Sequence, residues 1–324
     1  MHMIVLQHLQ PATMTANITL SEVALKRAAL LGESGQQWVD SLPALVQRIL
    51  AQFGLTFVES LTGGSESFCA LVRQRDDTHC VIKVIMPNDP DVTAEIPGLR
   101  AANGRGYAAM LASDADLGFV ILEHLGRPFA QSNLATPQQL SQITAALKLS
   151  WQSPTTQPGL IDGSSKADWL YQHITKAPTR IATSVDSQLI TKALDCIDRR
   201  RSLWRREDFV LVHGDAHEHN ALRMPHTEDE QYKLVDPDGL VFEGAYDLGI
   251  LLRNWIDAYK VVDPAAAMLQ RADALASATE VQPGAIIDWG FIEVVSTGIH
   301  LIDLGYADEG KQYLDLGRAT LPVV

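Results

Sequence analysis

Two short segments hold the residues that could do chemistry. The first is Leu211–Arg223, LVHGDAHEHNALR, and the second is Leu234–Gly239, LVDPDG. They bring Asp215, Asn220 and Asp236 into one neighbourhood. Phosphoryl transfer needs such a set: one carboxylate to take a hydroxyl proton, and two oxygen ligands for Mg²⁺. Asp215 follows the apolar, strand-like run Phe209–Val212, and a carboxylate at a strand end is held rigidly. Asn220 offers an amide oxygen, a hard ligand. Asp236 follows a second apolar stub, Lys233–Val235, and can bridge metal to phosphate oxygens. Turns capped by Asp and Asn would use the same residue types, but all three at this spacing favour the site.

Three histidines, His213, His217 and His219, crowd the same stretch and raise the question of zinc. No Cys lies nearby, and the local oxygens already suit Mg²⁺. His213 is therefore read as a brace for the loop, and His217 as orienting it.

ATP handling needs a cation for its phosphates. Lys83 stands in the otherwise apolar run VIKVI, and a Lys buried there needs an anion. ATP phosphates are one such anion, and a Glu on the following helix is another. Glu95 is the best helix partner, although Pro97-Gly98 follows it. Pro belongs in the first turn of a helix, so either a helix begins near Thr93 or Glu95 lies in a loop. Gly63, Gly64 and Ser65 lie between the first two strands, where Gly permits close backbone approach and amides and hydroxyls can donate to phosphate. The same Gly pair would also make a hairpin turn. No GK[ST] follows, so this is not a Walker A loop.

These residues need elements to hold them. Apolar spacing predicts helices at Ser21–Leu31 and Gln36–Phe53; in the second, Trp38, Leu42, Leu45, Val46, Ile49 and Leu50 share a face. Short β-branched and aromatic runs follow at Leu55–Leu61, Ser67–Gln74 and Cys80–Met86, separated by turn chemistry, with further strands at Tyr107–Leu111 and Phe119–Glu123. Beyond Gly126-Arg127-Pro128 the pattern is mostly helical: Pro137–Trp151, Ser165–Ile174, Asp186–Arg206, Asp247–Tyr259, Pro264–Thr279 and Ile286–Leu304. The fold expected is α+β in two lobes: residues 1–124 as a small antiparallel-sheet lobe that binds nucleotide, and 125–324 as a larger helical lobe with the catalytic loop and the substrate pocket. Pockets favour such junctions.

Composition excludes other classes. The chain has 324 residues, 20% of them charged, and a formal net charge of −13. Duplex nucleic acid and anionic membrane surfaces call for a basic footprint, so neither is an expected partner. Residues 225–324 hold 17 acids against 6 bases, which suggests either a cationic small-molecule substrate, with Asp257, Asp263, Asp288 and Glu293 as candidate contacts, or simply an acidic solvated helical surface; a phosphoryl acceptor must in addition be hydroxylated. Cys69, Cys80 and Cys196 lack metal-ligand spacing and fit a reducing cytoplasm. The N-terminus shows no signal-peptide pattern, Met14 could be an alternative start, and no apolar run approaches the ~18 residues of a membrane span. The run Arg199-Arg200-Arg201 reads as a solvated helix face near a C-terminus. Trp255, Trp289 and Phe291 read as core. Oligomeric state is not legible.

HGDxHxxN followed by DPxG resembles the aminoglycoside phosphotransferase family, a branch of the protein-kinase-like fold. The fuller strings VHGDAHEHNALR and VDPDGLVFEGAYDLGILLRNW are similar to its streptomycin 6-phosphotransferase and hydroxyurea phosphotransferase group. The resemblance implies Asp215 as catalytic base, Asn220 and Asp236 as Mg²⁺ ligands, and ATP as phosphoryl donor. It makes Glu123, His124 and Leu125 the hinge whose backbone meets adenine, with side chains of little consequence. It gives Asp247 the part of the buried Asp that braces the catalytic loop. The acceptor it implies is a streptomycin-like antibiotic. Alternatives are a metabolite kinase acting on a sugar, amino alcohol or nucleoside, and a non-catalytic nucleotide-binding pseudokinase. The intact set Lys83, Asp215, Asn220 and Asp236 argues against the last.

Overall fold

The structure is a computed structural model that describes residues 18–64, 66–87, 92–180, 185–225 and 231–324. Ser65 and Met14 lie outside the described residues. The chain divides into two compact units, Met1–Asn88 and Asp89–Val324.

In the first unit, helix α1 (Glu22–Leu30) is capped by Ser21, whose side chain accepts from the Ala24 amide at 3.0 Å. The same hydroxyl donates to the Gly64 carbonyl at 2.8 Å, so one serine both starts the helix and ties down the glycine loop. Helix α2 (Glu33–Phe53) buries Trp38, Leu42, Val46 and Ile49 as one stripe, as the spacing predicts. It stops at Gly54, which takes the left-handed conformation at φ 64°. Strands β1 (Thr56–Leu61), β2 (Ser67–Arg73) and β3 (His79–Ile85) form an antiparallel meander in which Cys69 faces Lys83.

The second unit opens with α3 (Val92–Ala102). Glu95 is inside this helix and buried, which resolves the helix-or-loop alternative. Pro97 sits in the interior of α3. The Pro-Gly pair matches a tight fit: a Cβ on Gly98 would meet the Gly239 Cα at 3.0 Å, and one on Gly159 would meet the Pro97 ring at 2.7 Å. α3 is thereby pressed onto the turn that carries Asp236.

Strands β4 (Met110–Asp114) and β5 (Phe119–Glu123) pair antiparallel. The strand expected at Tyr107–Leu111 is displaced. Tyr107 bridges Leu234 instead, because Gly106 turns the backbone at φ 70° so close to the next helix that a Cβ would meet the Ala146 carbonyl at 2.0 Å. Helix α4 (Thr136–Ser150) follows. Then come β6 (Ile161–Asp162), α5 (Ser164–Arg180), α6 (Ser187–Leu203), β7 (Val210–Val212), β8 (Ala221–Arg223), β9 (Tyr232–Leu234) and β10 (Leu240–Phe242). β7 and β6 flank β10 in a three-stranded sheet, while β8 and β9 pair by themselves. The last helices are α7 (Ala245–Arg253), α8 (Pro264–Thr279), α9 (Pro283–Asp303) and α10 (Ala307–Thr320).

α7 and α9 form the centre. Residues Ala245 to Leu252 of α7 are all buried. α9 is long and apolar enough by composition to cross a membrane, with mean hydropathy 1.4, but 72% of that window is buried here. A helix apolar all round belongs in a core. Trp289, on α9, meets Phe242 and Tyr246 edge-on, each with ring centroids 5.2 Å away. Helix α10 has no counterpart in the sequence reading, because Gly310 and Gly317 weaken its helical signal. The structure uses Gly310 for close approach: a Cβ there would meet the Gly298 carbonyl of α9 at 2.6 Å.

The basic run corrects the sequence reading. Arg200 is buried and grips Glu243 with two bonds, at 3.1 and 2.7 Å. Arg199 binds Asp288 on α9, and Arg201 binds Asp168 on α5 at 2.5 Å. Arg200 is thus a buried fork-to-carboxylate contact, and its two neighbours tie α6 to α9 and α5 while remaining partly exposed.

The two glycines of α7 and α9 give a paired test. A Cβ on Gly249 would meet Trp289 at 2.4 Å, whereas one on Gly284 meets nothing within 4 Å. Gly249→Ala is expected to lower unfolding free energy by ~1–3 kcal/mol through overpacking. Gly284→Ala is expected to leave it unchanged or raise it by about 0.5–1 kcal/mol through helix propensity. Urea titration of both variants checks the pair.

Candidate active site

The loop after β7 is organised from below by one buried carboxylate. Asp247, fully buried in the first turn of α7, accepts from the His213 amide at 2.9 and 3.0 Å and from the Gly214 amide at 3.0 Å. The Trp151 indole, at the end of α4, donates to its other oxygen at 2.9 Å. Burial pushes this carboxyl up to about 6, against donors that favour the anion. Gly214 is required, since its φ is 88° and a Cβ would meet Asp238 at 2.5 Å.

His213 then connects the two motifs. Its Nδ1 accepts from the Asp215 amide at 3.2 Å, and its Nε2 lies 2.9 Å from the Val235 carbonyl. A carbonyl can only accept, so Nε2 carries the proton and Nδ1 does not. Burial, its largest influence, holds His213 down at about 4, so this neutral tautomer is the working form. Two backbone bonds complete the stitching: the Asp238 amide to the His213 carbonyl at 2.8 Å, and the Val235 amide to the Asn220 carbonyl at 2.9 Å. Asp215, Asn220 and Asp236 are thus carried on two segments bonded to one another.

Each of the three has a defined setting. The Asn220 Nδ2 donates to the Asp215 carbonyl at 3.1 Å, which identifies the other end of the amide as the acceptor oxygen. Asp236 is exposed and held at φ 60° immediately before Pro237. A non-glycine residue there costs about 1–3 kcal/mol and persists where the surroundings impose it. Asp215 is half-exposed, with the Arg253 Nη2 2.9 Å from Oδ1 and the His217 Nε2 3.3 Å from Oδ2. Burial alone would raise its carboxyl, but the His217 hydrogen bond and the Arg253 charge outweigh it and hold Asp215 well below the usual carboxylate range.

The sequence of this chain matches the profile of the aminoglycoside/hydroxyurea antibiotic resistance kinases over residues 57–305. The chain belongs to that family. The kinase is 25% identical over 300 residues to a streptomycin 6-kinase of Streptomyces glaucescens, covering 92% of this chain and 94% of the relative. It is 26% identical over 232 residues to a hydroxyurea phosphotransferase of Kitasatospora aureofaciens, covering 71% of this chain and 66% of the relative. Among solved structures, a choline kinase of Streptococcus pneumoniae shares the fold at TM-score 0.59 and 12% identity, over 86% of this chain and 99% of that one. The fold is α+β, two-lobed and protein-kinase-like, and the activity is that of a phosphotransferase, for which ATP is the donor the family implies.

The remaining expected residues fall in both compact units. In the first, Lys83 is buried on β3. Gly64 is needed where it stands, because a Cβ would meet Ser67 at 2.8 Å, whereas Gly63 has open space around its Cα. In the second, Glu95 is buried on α3 and Leu125 is buried just past β5. The Glu123 side chain is not idle, contrary to expectation. Its Oε1 accepts from the Ala109 amide at 2.6 Å and from Lys233 at 2.5 Å, tying the end of β5 to the residue before β4 and to β9.

Of the four acids expected to meet a cationic substrate, two are buried and engaged internally: Asp288 pairs with Arg199 and Glu293 with Arg253. The other two are exposed, Asp257 beside Lys260 and Asp263 at the cap of α8. Trp289 and Phe291 are core as expected. Trp255 is only partly buried, and its indole donates to Gln139 at 2.9 Å.

Arg253 is the partner of Asp215 that sequence reading missed. It closes the apolar run Leu248–Leu252 of α7, where a base complements the helix C-terminus. The signal available was its chemistry: a guanidinium ending a fully buried helix must meet an acid.

Asn220 and Asp236 supply hard oxygen donors, which suit Mg²⁺. Among the described residues, no group of three or more His, Cys, Asp or Glu side chains could hold a metal.

The His213 tautomer has a pH signature. Its folded value lies near 4, below an ordinary 6.5. Its contribution to stability is therefore fully present above about pH 6.5 and is lost as pH falls towards 4. The loss is up to about 3 kcal/mol, at 1.36 kcal/mol per pKa unit. Asp247, raised to about 6, works in the opposite sense over the same window, because its protonation adds stability as pH falls. The His213 part is therefore read as a difference: in thermal unfolding from pH 7.5 to 4.5, His213→Gln is expected to lose less stability than the wild type while starting lower at pH 7.5.

Proposed function

We propose that this kinase transfers the γ-phosphate of ATP to a hydroxyl of a streptomycin-like aminocyclitol antibiotic. The observation that carries this reading is the stitched pair of segments 213–220 and 235–238, in a chain alignable with a streptomycin 6-kinase over nearly its whole length. In the proposed division of labour, residues 1–124 bind nucleotide, and 125–324 provide the catalytic loop and the acceptor pocket. The reaction is set in the cytoplasm, where ATP is available and where three free cysteines stay reduced.

In the proposed mechanism Asp215 orients the acceptor hydroxyl. Phosphoryl transfer passes through a loose transition state, so the nucleophile need not be deprotonated early. A carboxylate held anionic by Arg253 and His217 is a weak base but a fixed hydrogen-bond acceptor, which suits orientation first and proton uptake late. Asn220 and Asp236 would hold Mg²⁺, whose charge offsets that of the phosphates. Lys83 would steady the phosphate chain. Gly63, Gly64 and Ser65 would offer backbone and hydroxyl donors to phosphate, and the backbone at Glu123 and Leu125 would meet adenine. The residues' share of catalysis is positioning and charge neutralisation.

A mass-spectrometric screen for an 80 Da gain tests the acceptor, using streptomycin, other aminoglycosides, hydroxyurea, choline and common sugars. Phosphorylated streptomycin is expected. Transfer to a sugar or amino alcohol alone would replace the antibiotic reading with a metabolite kinase, and nucleotide binding without any transfer would favour a pseudokinase. In the same assay Asp215→Asn should lose roughly 10³-fold in kcat, with KM for ATP within a few-fold of wild type; undiminished turnover would remove Asp215 from the mechanism.

A further inference from the structure

Asp215 is held by an arginine whose other hand is occupied. The Arg253 Nη2 donates to Asp215 Oδ1 at 2.9 Å, and its Nη1 donates to Glu293 Oε2 at 3.0 Å. Glu293 is anchored in turn, since Tyr246 donates its hydroxyl to Oε1 at 3.0 Å. The Arg253 Nε reaches the Asn254 side chain at 3.2 Å. Exposure falls steeply along this string. The side chain of Asp215 is 43% exposed, that of Arg253 15%, and that of Glu293 5%. Tyr246 is buried.

Asn254 performs a parallel task. Its Nδ2 donates to the Ala216 carbonyl at 3.0 Å, and Arg271 donates to its own carbonyl at 3.1 Å. Adjacent residues at the end of α7 thus hold the catalytic loop, one by the side chain of Asp215 and the other by the backbone of Ala216. Glu293 is needed to aim Arg253, because a planar guanidinium held on one edge presents its other nitrogen in one direction only.

We propose that Arg253, aimed by Glu293, is a positioning residue for phosphoryl transfer: it fixes the Asp215 carboxylate in the orientation that meets the acceptor hydroxyl. This rests on Asp215 being the residue that receives that hydroxyl. The pair does not touch substrate, and it transfers no proton. Its effect should therefore fall on kcat and leave nucleotide binding alone.

Removing Arg253 by itself strands a buried Glu293 charge and endangers the fold. The informative variant is Arg253→Met/Glu293→Gln, which removes both charges and keeps an acceptor for Tyr246. ADP release is measured with streptomycin and with water alone as acceptors, beside thermal melting and KM for ATP. The double variant is expected to stay folded, with KM for ATP within about threefold of wild type and kcat lower by on the order of 10²-fold. Glu293→Gln alone, in which Arg253 still reaches Asp215, should lose no more than about tenfold. Arg253→Lys keeps the charge but offers no planar fork, and should fall between the two. A folded double variant with kcat within about threefold of wild type overturns the proposal, as does a loss of ATP affinity equal to the loss of kcat. If the double variant does not fold, Arg253→Lys decides: wild-type kcat there overturns the proposal, and a lowered kcat with unchanged KM for ATP upholds it. Asp215→Ala separates the two levels. If it abolishes turnover while the double variant retains it, positioning alone fails. If it turns over normally, the role of Asp215 fails and the proposal with it.

Discussion

The site depends on a carboxylate that never meets substrate. Asp247 lies in the first turn of α7 and receives the amides of His213 and Gly214. Those amides face inward because Gly214 takes a left-handed turn that a side chain would block. An acid in the first turn of a helix is favoured by the helix dipole, and its burial is offset by backbone and indole donors. With 213 and 214 fixed, the side chain of His213 can reach Val235, and the metal-ligand segment is drawn to the loop. The opposite end of the same helix holds 215 and 216 through Arg253 and Asn254. Four consecutive loop residues are therefore gripped by the two ends of α7, which the core around Trp289 immobilises.

Much of this was legible before the structure. Asp215, Asn220 and Asp236 announce themselves because the two acids each follow a short apolar strand, the amide stands five residues after the first acid, and the combination is rare. The brace role of His213 could be anticipated from crowding. The bracing part of Asp247 came from the family resemblance and not from spacing, because no periodicity links residue 213 to 247. Arg253 and Glu293 stand 40 residues apart, on helices whose crossing is decided by small residues at contact. The same blindness explains Arg200, whose partner Glu243 lies 43 residues on. α10 was missed for a related reason: its glycines read as weak helix formers, although they serve close packing against α9. Pro97 misled in the opposite sense. Local propensity argues against helix there, and packing against Gly159 overrides it.

The acidic C-terminal third carries a lesson about net charge. A surplus of 17 acids over 6 bases invites a picture of cation recruitment. Several of these acids have other duties. Asp288 and Glu293 hold helices and a loop through arginines, Glu243 receives Arg200 and Trp289, and Asp263 caps α8. Charge counted along a sequence cannot distinguish a field offered to ligands from charges consumed in folding, since both have the same composition.

The distribution of burial along Asp215, Arg253 and Glu293 decides what the arginine does. Two carboxylates share one guanidinium. The inner one is nearly inaccessible, and in a low dielectric its charge is compensated chiefly by Arg253. The outer one is partly in water, where the same contact is weaker. Arg253 is therefore neutralised in part from within. It directs a hydrogen bond outward, and the charge it retains helps to hold Asp215 anionic. The carboxylate is thus oriented and kept as the acceptor that a hydroxyl needs, with a lowered basicity that suits proton uptake late, once the phosphoryl bond has formed. A lone arginine at this position would lower that basicity further; the buried glutamate limits the effect.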